Sequence, residues 1–452
     1  MGWVIISSMI PPPPPSVSFI EALKFWLKLG FISFGGPAGQ IAIMHQELVE
    51  KRHWISERRF LHALNYCMVL PGPEAQQLAT YIGWLMHGTK GGIAAGMLFV
   101  LPSLFILVVL SWLYMAYGST PAVAGVLYGI KPAVTAIVVF AAYRIGSRAL
   151  KNRVLWAMAA AAFIAIFAFN VPFPAIVLAA GLMGYIGSRV APDTFKPGGG
   201  HSAADKHFGA ALIDDDTPTP PHATFMWKKF YRLVAIGLVI WVGALGTLLA
   251  LLGWQGTLTQ MGWFFTKAAL LTFGGAYAVL PYVYQGAVEH YQWLTATQMI
   301  DGLALGETTP GPLIMVVAFV GFVGAWTHSL FGPEALLLAG AAGACIATFF
   351  TFLPSFLFIL IGGPLVEATH GELKFTAPLT GITAAIVGVI LNLAVFFAYH
   401  VLWPKGFNGD FEWLSLIIGL IAGVALFRYK IGVISVIGAS AVAGLAYTFS
   451  GL

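Results

Sequence analysis

The sequence predicts an all-α polytopic membrane protein built from two inverted-topology repeats with re-entrant, broken helices. Three observations carry that prediction. The chain is 59% hydrophobic and only 9% charged over 452 residues, against about 25% charged for an average globular chain. Ile93–Ile130, Val154–Ser188, Leu233–Thr266 and Phe375–Pro404 contain no Asp, Glu, Lys or Arg, and each exceeds the roughly 20 residues that cross a bilayer. Phe25–Pro73 and Phe264–Pro312 superimpose at a constant shift of 239 positions without a gap, with thirteen of 49 positions identical. Phe34-Gly35-Gly36 then falls on Phe273-Gly274-Gly275, and Pro71-Gly72-Pro73 on Pro310-Gly311-Pro312. Helix breakers kept twice inside apolar sequence mark discontinuous helices in a duplicated transporter.

In chain order, residues 1–18 read as an N-terminal tether. Pro11–Pro15 suits a stiff polyproline II segment, and no basic n-region or small-residue cleavage pattern marks a signal peptide. The first repeat covers 19–190. Ser18 can cap a helix from about Phe19 to Phe34. Gly35-Gly36-Pro37 breaks it, and Pro37 suits the first turn of a helix to about Leu48. A polar stretch to Arg59 leads to a second broken pair, Phe60–Leu70 and Glu74 to about Met86. Spans are expected near 92–116, 121–143, 154–169 and 172–190. The polar inter-repeat loop, 191–228, is rich in Gly, Pro, His and Asp and reads as flexible. Its histidines lack metal-ligand spacing. A linking helix, 229–252, leads into the second repeat, 253–452, with spans near 334–361, 377–401, 412–427 and 431–450. Downstream of the breaks the shift becomes 252, so 13 residues are inserted in copy two, and Leu101-Pro102-Ser103 meets Leu353-Pro354-Ser355.

Charge sets the expected topology. The loop after the first broken helix carries Lys51, Arg52, Arg58 and Arg59, while its counterpart Gly286–Gln298 has no Lys or Arg. The positive-inside tendency puts these loops on opposite faces. If each broken pair is a re-entrant hairpin, the clusters at Arg144–Arg153, at Lys196–Arg232 and at Arg428/Lys430 all fall inside. If each were one kinked span, Arg144–Arg153 would fall outside. The net charge of +5 sits in loops and speaks for orientation, not nucleic-acid binding. Cys67 and Cys345 are not equivalent between the copies and read as inert core thiols.

The duplicated pairing of F-G-G-P with a downstream P-G-P resembles the chromate ion transporter family of bacterial inner-membrane proteins, in its long two-repeat form. The resemblance is strongest over Lys28–Pro37 with Leu70–Gln77, and over Lys267–Gly275 with Glu307–Pro312. Copy two departs from it at Ala276, where Pro37 stood, and at Leu313, where Glu74 stood. The resemblance implies export of chromate from the cytoplasm, driven by membrane potential or a proton gradient, and chromate resistance. The residues alone give a secondary transporter. A carrier for sulfate or another tetrahedral oxyanion and a passive anion channel both stay open, as does a homodimer.

A dianion needs donors and positive potential, which unpaired N–H groups at helix N-termini supply. Gly35-Gly36 and Gly274-Gly275 let backbone approach an anion closely. Pro73 and Pro312 suit the first turn of a following helix. The candidate substrate-binding set is therefore Phe34, Gly35, Gly36, Pro71, Gly72 and Pro73 with Phe273, Gly274, Gly275, Pro310, Gly311 and Pro312. Lys28 and Lys267 either attract the anion or snorkel to the interface. Lys131, deep in apolar sequence, is a candidate by its position. Gln76 and Gln77 either donate to oxyanion oxygens or bond between helices. Glu74 and Glu307 are proton-coupling candidates, because a carboxylate beside an anion repels it until protonated. Asn65 and Asp301 are weaker candidates, and Glu50, Glu289, Trp54 and Trp293 read as loop structure or interfacial anchors. Gly83-x4-Gly88-Thr89-Lys90 fails as a phosphate loop because the Lys is one place late and no strand precedes it. No HExxH or GxSxG is present. A transporter without cofactor or metal is expected, not an enzyme.

Overall fold

A computed structural model describes residues 16–195, 208–215, 217–369 and 376–450. The polyproline run and Gly198-Gly199-Gly200 lie outside the described residues. Every named element is helical. Seven helices among the described residues are long and apolar enough to cross a membrane.

The first half of each copy is a pair of helical hairpins. Ser18 caps α1 (Phe19–Ile32) by accepting from the Glu21 N–H. The chain reverses at Ser33–Gly35 into α2 (Gly36–His45), which continues as a π-helical turn, Gln46–Lys51. The reversal brings the residues after the π-helical turn back onto α1. Trp54 lies edge-on to Phe25 at 5.0 Å between ring centroids, and the Arg52 guanidinium stands 4.9 Å over the Phe25 ring. At 14 residues α1 is ~21 Å long, short of the ~30 Å hydrocarbon core. The second hairpin joins α3 (Glu57–Val69), capped by Ser56, to the start of α4 (Glu74–Tyr117).

Helix α4 is itself folded back. Its helical course is broken at His87 (φ −134°, ψ 22°) and Gly88 (φ 63°, ψ −158°). A Cβ on Gly96 would stand 2.3 Å from Thr80 Oγ1, and one on Gly91 2.2 Å from the Gly83 carbonyl. In a straight helix Thr80 and Gly96 would be ~24 Å apart. Gly83, Gly91, Gly92 and Gly96 thus let two antiparallel arms touch backbone to backbone. The run that imitates a phosphate loop is this hairpin turn.

Copy two repeats the plan in α9 (Thr257–Leu270), α10 (Ala276–Tyr284), the π-helical turn Gln285–His290 and α11 (Ala296–Thr308). The match extends to backbone detail. The π turns lie 239 positions apart, as do the left-handed residues His53 (φ 51°) and Gln292 (φ 54°). Phe264 meets Trp293 as Phe25 meets Trp54. Both tryptophans are buried, so they pin hairpins together and do not anchor at an interface. The 13 inserted residues lengthen the next turn. Copy one reverses within α4, whereas copy two runs through α12 (Val316–Thr327), a short 3-10 turn and α13 (Leu336–Thr369).

The remaining helices interleave the copies. Helix α14 (Thr376–Leu402) of copy two lies against α6 (Arg153–Phe169) and α7 (Phe173–Val190) of copy one. A Cβ on Gly388 would stand 1.9 Å from the Ala159 carbonyl. Conversely, α15 (Trp413–Phe427) and α16 (Val433–Ser450) of copy two lie against α5 (Pro121–Ala149) of copy one. Helix α8 (Trp227–Leu252) links the copies and buries only Gly237 and Leu245, leaving an apolar surface suited to lipid. Cys67 is buried, but Cys345 is exposed on α13, which corrects its reading as a core thiol.

The described residues of the inter-repeat segment pack against the hairpins. Ile213 is buried and pairs with Ile55 as an isolated bridge. Ser56 donates to Asp215, and Arg59 donates to the carbonyls of Asp214 and Thr217. His222 bonds the Trp84 carbonyl at 2.8 Å, and Asn152 donates to the Thr194 carbonyl. The start of α3, the turn within α4, the α5–α6 turn and the described part of the loop therefore gather at one end. This is the end at which re-entrant hairpins would place the basic clusters.

Candidate functional site: the meeting of the helix breaks

The hairpin tips of the two copies meet and exchange backbone hydrogen bonds. The Gly72 N–H donates to the Thr272 carbonyl at 2.7 Å, and the Gly311 N–H donates to the Ser33 carbonyl at 2.8 Å. Both donors and both acceptors are 239 positions apart, so the contact is reciprocal about a local twofold. Gly72 (φ +127°) and Gly311 (φ +100°) adopt a backbone that side chains rarely share. The Leu-Pro-Ser pair completes the pattern. A Cβ on Gly72 would lie 2.4 Å from Ser355 Oγ, and one on Gly311 2.8 Å from Ser103 Cβ. Each proline-glycine-proline break thus faces a serine of the other copy.

This centre is rich in buried polar atoms without a protein partner. Ser33, Ser103 and Ser355 Oγ and the Gln40, Gln76 and Gln77 Oε1 atoms are in this state. Such groups cost on the order of 1–3 kcal/mol each unless water or a ligand meets them. The amide nitrogens are engaged. Gln40 donates to the Gly311 carbonyl, Gln77 to the Pro71 carbonyl at 2.8 Å, and Gln76 to Thr80 Oγ1 at 2.9 Å.

Beside the centre lies a cleft lined by Gly35 and Gly36, by Ile137, Phe140 and Arg144 of α5, and by Tyr277 and Glu307 of copy two. The N-terminus of α2 opens here, with Gly35 at φ +88° as its cap. The Tyr277 hydroxyl donates to Glu307. A guanidinium, a helix N-terminus and a carboxylate held by a phenol therefore share one small space. Their counterparts at the 239 and 252 shifts are Ala38, Met68 and Phe396, so the cleft is asymmetric.

The sequence candidates divide on this geometry. Glu307 and the glycines of both breaks are at or beside the centre. Pro71, Pro73, Pro310 and Pro312 shape it, and Pro73 caps α4 with Glu74 half-buried in the first turn. Phe34 and Phe273 flank the tips, half-buried. Three lysines lie elsewhere. Lys28 is exposed on α1. The Lys51 hydrogen bond holds the Glu47 carboxyl below its usual range, with Arg52 and Lys28 adding their charge. Lys267 is half-buried with its ammonium 5.6 Å from the Trp263 ring centre. Lys131 pairs with Asp301 at 3.6 Å. Arg144, Gln40 and Tyr277 were not singled out by sequence for this site. Arg144 lies in a basic cluster read as topology, and its lack of a counterpart removed the repeat signal. The duplicated Leu-Pro-Ser was the available clue to Ser103 and Ser355.

Comparison with known proteins gives the family. The chain matches the chromate transporter family over residues 20–185 and 259–445. It is 32% identical over 440 residues to a chromate transport protein of Pseudomonas aeruginosa, covering 95% of this chain and 93% of that one. It is 30% identical over 390 residues to a chromate transport protein of Cupriavidus metallidurans, covering 85% and 84%. A probable chromate transport protein of Synechococcus elongatus is also 30% identical, over 385 residues, covering 84% and 85%. No solved structure matches. With its duplicated hairpins and membrane-length apolar helices, the chain belongs to the chromate transporter family and is a multi-pass protein of the bacterial inner membrane.

Proposed function

We propose that the protein is a secondary transporter that exports chromate from the cytoplasm, driven by the membrane potential or a proton gradient, and so confers chromate resistance. The observation that carries this is the meeting of hairpin tips from both copies, joined by reciprocal Gly72–Thr272 and Gly311–Ser33 hydrogen bonds. Non-helical backbone at membrane depth is tolerated where it is buried or lines a cavity. Tips that meet in the middle leave one path, crossed by moving the hairpins, and the two copies would lie inverted in the bilayer. A tetrahedral dianion suits the cleft beside the tips. Arg144 offers a fork of donors and the α2 N-terminus offers free N–H groups. Glu307, held by Tyr277, would repel the dianion while ionised, and protonation would lift that repulsion, which is a route to proton coupling. The names of the relatives support chromate as the substrate.

The test is uptake of labelled chromate into inside-out vesicles carrying the protein, with sulfate as competitor and an uncoupler added. Saturable uptake that the uncoupler abolishes and sulfate only weakly inhibits is expected. Flux that follows voltage passively would make the protein an anion channel, and preference for sulfate would make it a sulfate carrier. Absence of oxyanion flux would end the reading.

A further inference from the structure

We propose that two cation–carboxylate–tyrosine clusters, Arg59–Glu367–Tyr81 and Lys131–Asp301–Tyr114, are the two gates of the transport path. Their residues are positioning residues that hold the hairpins closed at opposite ends. The inference rests on the reading of the chain as an alternating-access transporter, but not on the identity of the substrate.

The first cluster lies at the start of α3. Arg59 Nη1 donates to Glu367 Oε2 at 2.6 Å, and the Tyr81 hydroxyl donates to Glu367 Oε1. The Glu367 side chain is 1% exposed and that of Arg59 14%. Arg59 belongs to a hairpin helix of copy one, and Glu367 to α13 of copy two. The second cluster lies along α11. Asp301, with its side chain 3% exposed, accepts from the Tyr114 hydroxyl at 3.0 Å and pairs with Lys131 at 3.6 Å. Asp301 belongs to a hairpin helix of copy two, and Tyr114 and Lys131 to α4 and α5 of copy one.

These are the same interface of the repeat, used twice. Helices α3 and α11 correspond residue for residue at a shift of 239, from Glu57 with Ala296 to Val69 with Thr308. The second arm of α4 corresponds to α13 at a shift of 252, so Tyr114 falls on Val366, next to Glu367. The charges themselves do not correspond. Arg59 falls on Gln298, Asp301 on His62 and Glu367 on Met115. Duplication therefore explains the shared interface but not the ion pair at each copy of it. Each pair also sits between a break and a surface. Arg59 is ten residues, ~15 Å, from the break end of α3, and Asp301 is seven residues, ~10 Å, from that of α11. Removing one partner of such a pair is costly, because it leaves a buried carboxylate without its cation. A hairpin held this way is docked while the pair is whole and released when it parts, which gives two discrete arrangements.

The experiment uses the full chain with Cys67→Ala and Cys345→Ser, and Ser33→Cys as reporter at the tips. Labelling by a membrane-impermeant thiol reagent is measured in right-side-out and inside-out vesicles, without substrate. Glu367→Gln should raise the labelling rate from the cytoplasmic side and lower it from the other. Asp301→Asn should do the reverse. The ratio of the two rates should move by roughly 5- to 150-fold in opposite directions, the usual range of coupling between two states. If Glu367→Gln does not fold, Arg59→Met with Glu367→Gln removes both charges and should shift the ratio in the same direction. Equal-sign shifts, reversed signs or no shift would overturn the proposal. A chromate flux of zero beside the expected shifts would discard the substrate and keep the gates.

Discussion

Replacing Gly72 with alanine tests whether the two copies meet as described. Gly72 has φ +127°, and its new Cβ would lie 2.4 Å from Ser355 Oγ and 2.6 Å from Gln77 Nε2. Strain in that backbone region costs about 1–3 kcal/mol for a residue with a side chain. Shifting the tip to relieve the contact weakens the hydrogen bond to Thr272, worth about 0.5–1.5 kcal/mol. The expected loss is about 2–4 kcal/mol. Gly275→Ala separates the two parts, because Gly275 has φ +98° but nothing within 4 Å of a Cβ. It should cost about 1–3 kcal/mol from strain alone. Ser355→Ala by itself should not destabilise and should stabilise by up to about 1–3 kcal/mol, because the hydroxyl it removes is buried without a partner. Combined with Gly72→Ala it should restore about 1 kcal/mol, within the range of coupling between touching residues. The assay is equilibrium unfolding in mixed micelles titrated with a denaturing detergent, followed by tryptophan fluorescence. Strictly additive effects of Gly72→Ala and Ser355→Ala would refute the contact between Pro71-Gly72-Pro73 and the Leu-Pro-Ser of copy two.

Other expectations are simpler to measure. Cysteines at Lys51 and His290, which are equivalent at a shift of 239 and both exposed, should label from opposite faces of the membrane; labelling from one face refutes the inverted arrangement. Arg144→Gln should lower chromate uptake at least tenfold, about 1.4 kcal/mol, more than Lys28→Ala, whose side chain is exposed on α1; equal losses would remove Arg144 from the site. Gly91→Val should prevent α4 from folding back and abolish monodisperse protein on size-exclusion chromatography, because its Cβ would stand 2.2 Å from the Gly83 carbonyl. Gly243→Ala in α8, with nothing within 4 Å, should be neutral or stabilise by up to about 1 kcal/mol. Lys131→Met should destabilise more than Lys131→Met with Asp301→Asn, since a lone buried carboxylate is worse than none.

Much of this architecture is written in local chemistry. Ser18 and Ser56 cap helices because a hydroxyl can accept from a free N–H three residues on. Gly35 and Gly274 turn the chain between helices because, lacking a Cβ, they take positive φ (+88° and +76°), and the 239 shift carries those breaks from one copy to the other. The charge-free runs give the spans, because a bilayer of fixed thickness demands a fixed length of apolar helix. Sequence also implied hairpins over kinked spans through the basic loops, and the cross-hairpin contacts of Phe25 with Trp54 and Phe264 with Tyr282 match that reading.

Which residues surround the breaks was settled only by tertiary packing. Ser355 faces Gly72 from 283 positions away, and no periodicity within either segment encodes that distance. Arg144, Tyr277 and Glu307 share a cleft because α5 of copy one passes the breaks of copy two, and none has a like residue in the other copy to betray it. Lys28 and Lys267 carried the repeat signal yet lie off the centre, because repetition reports shared ancestry of position and not a shared destination for the side chain. Sequence by itself determined the helices, their breaks and their duplication, since these depend on each segment's own backbone and on the bilayer. The structure alone decided which breaks touch, which charges pair and where an anion would find donors, since those depend on segments brought together only when the two copies interleave.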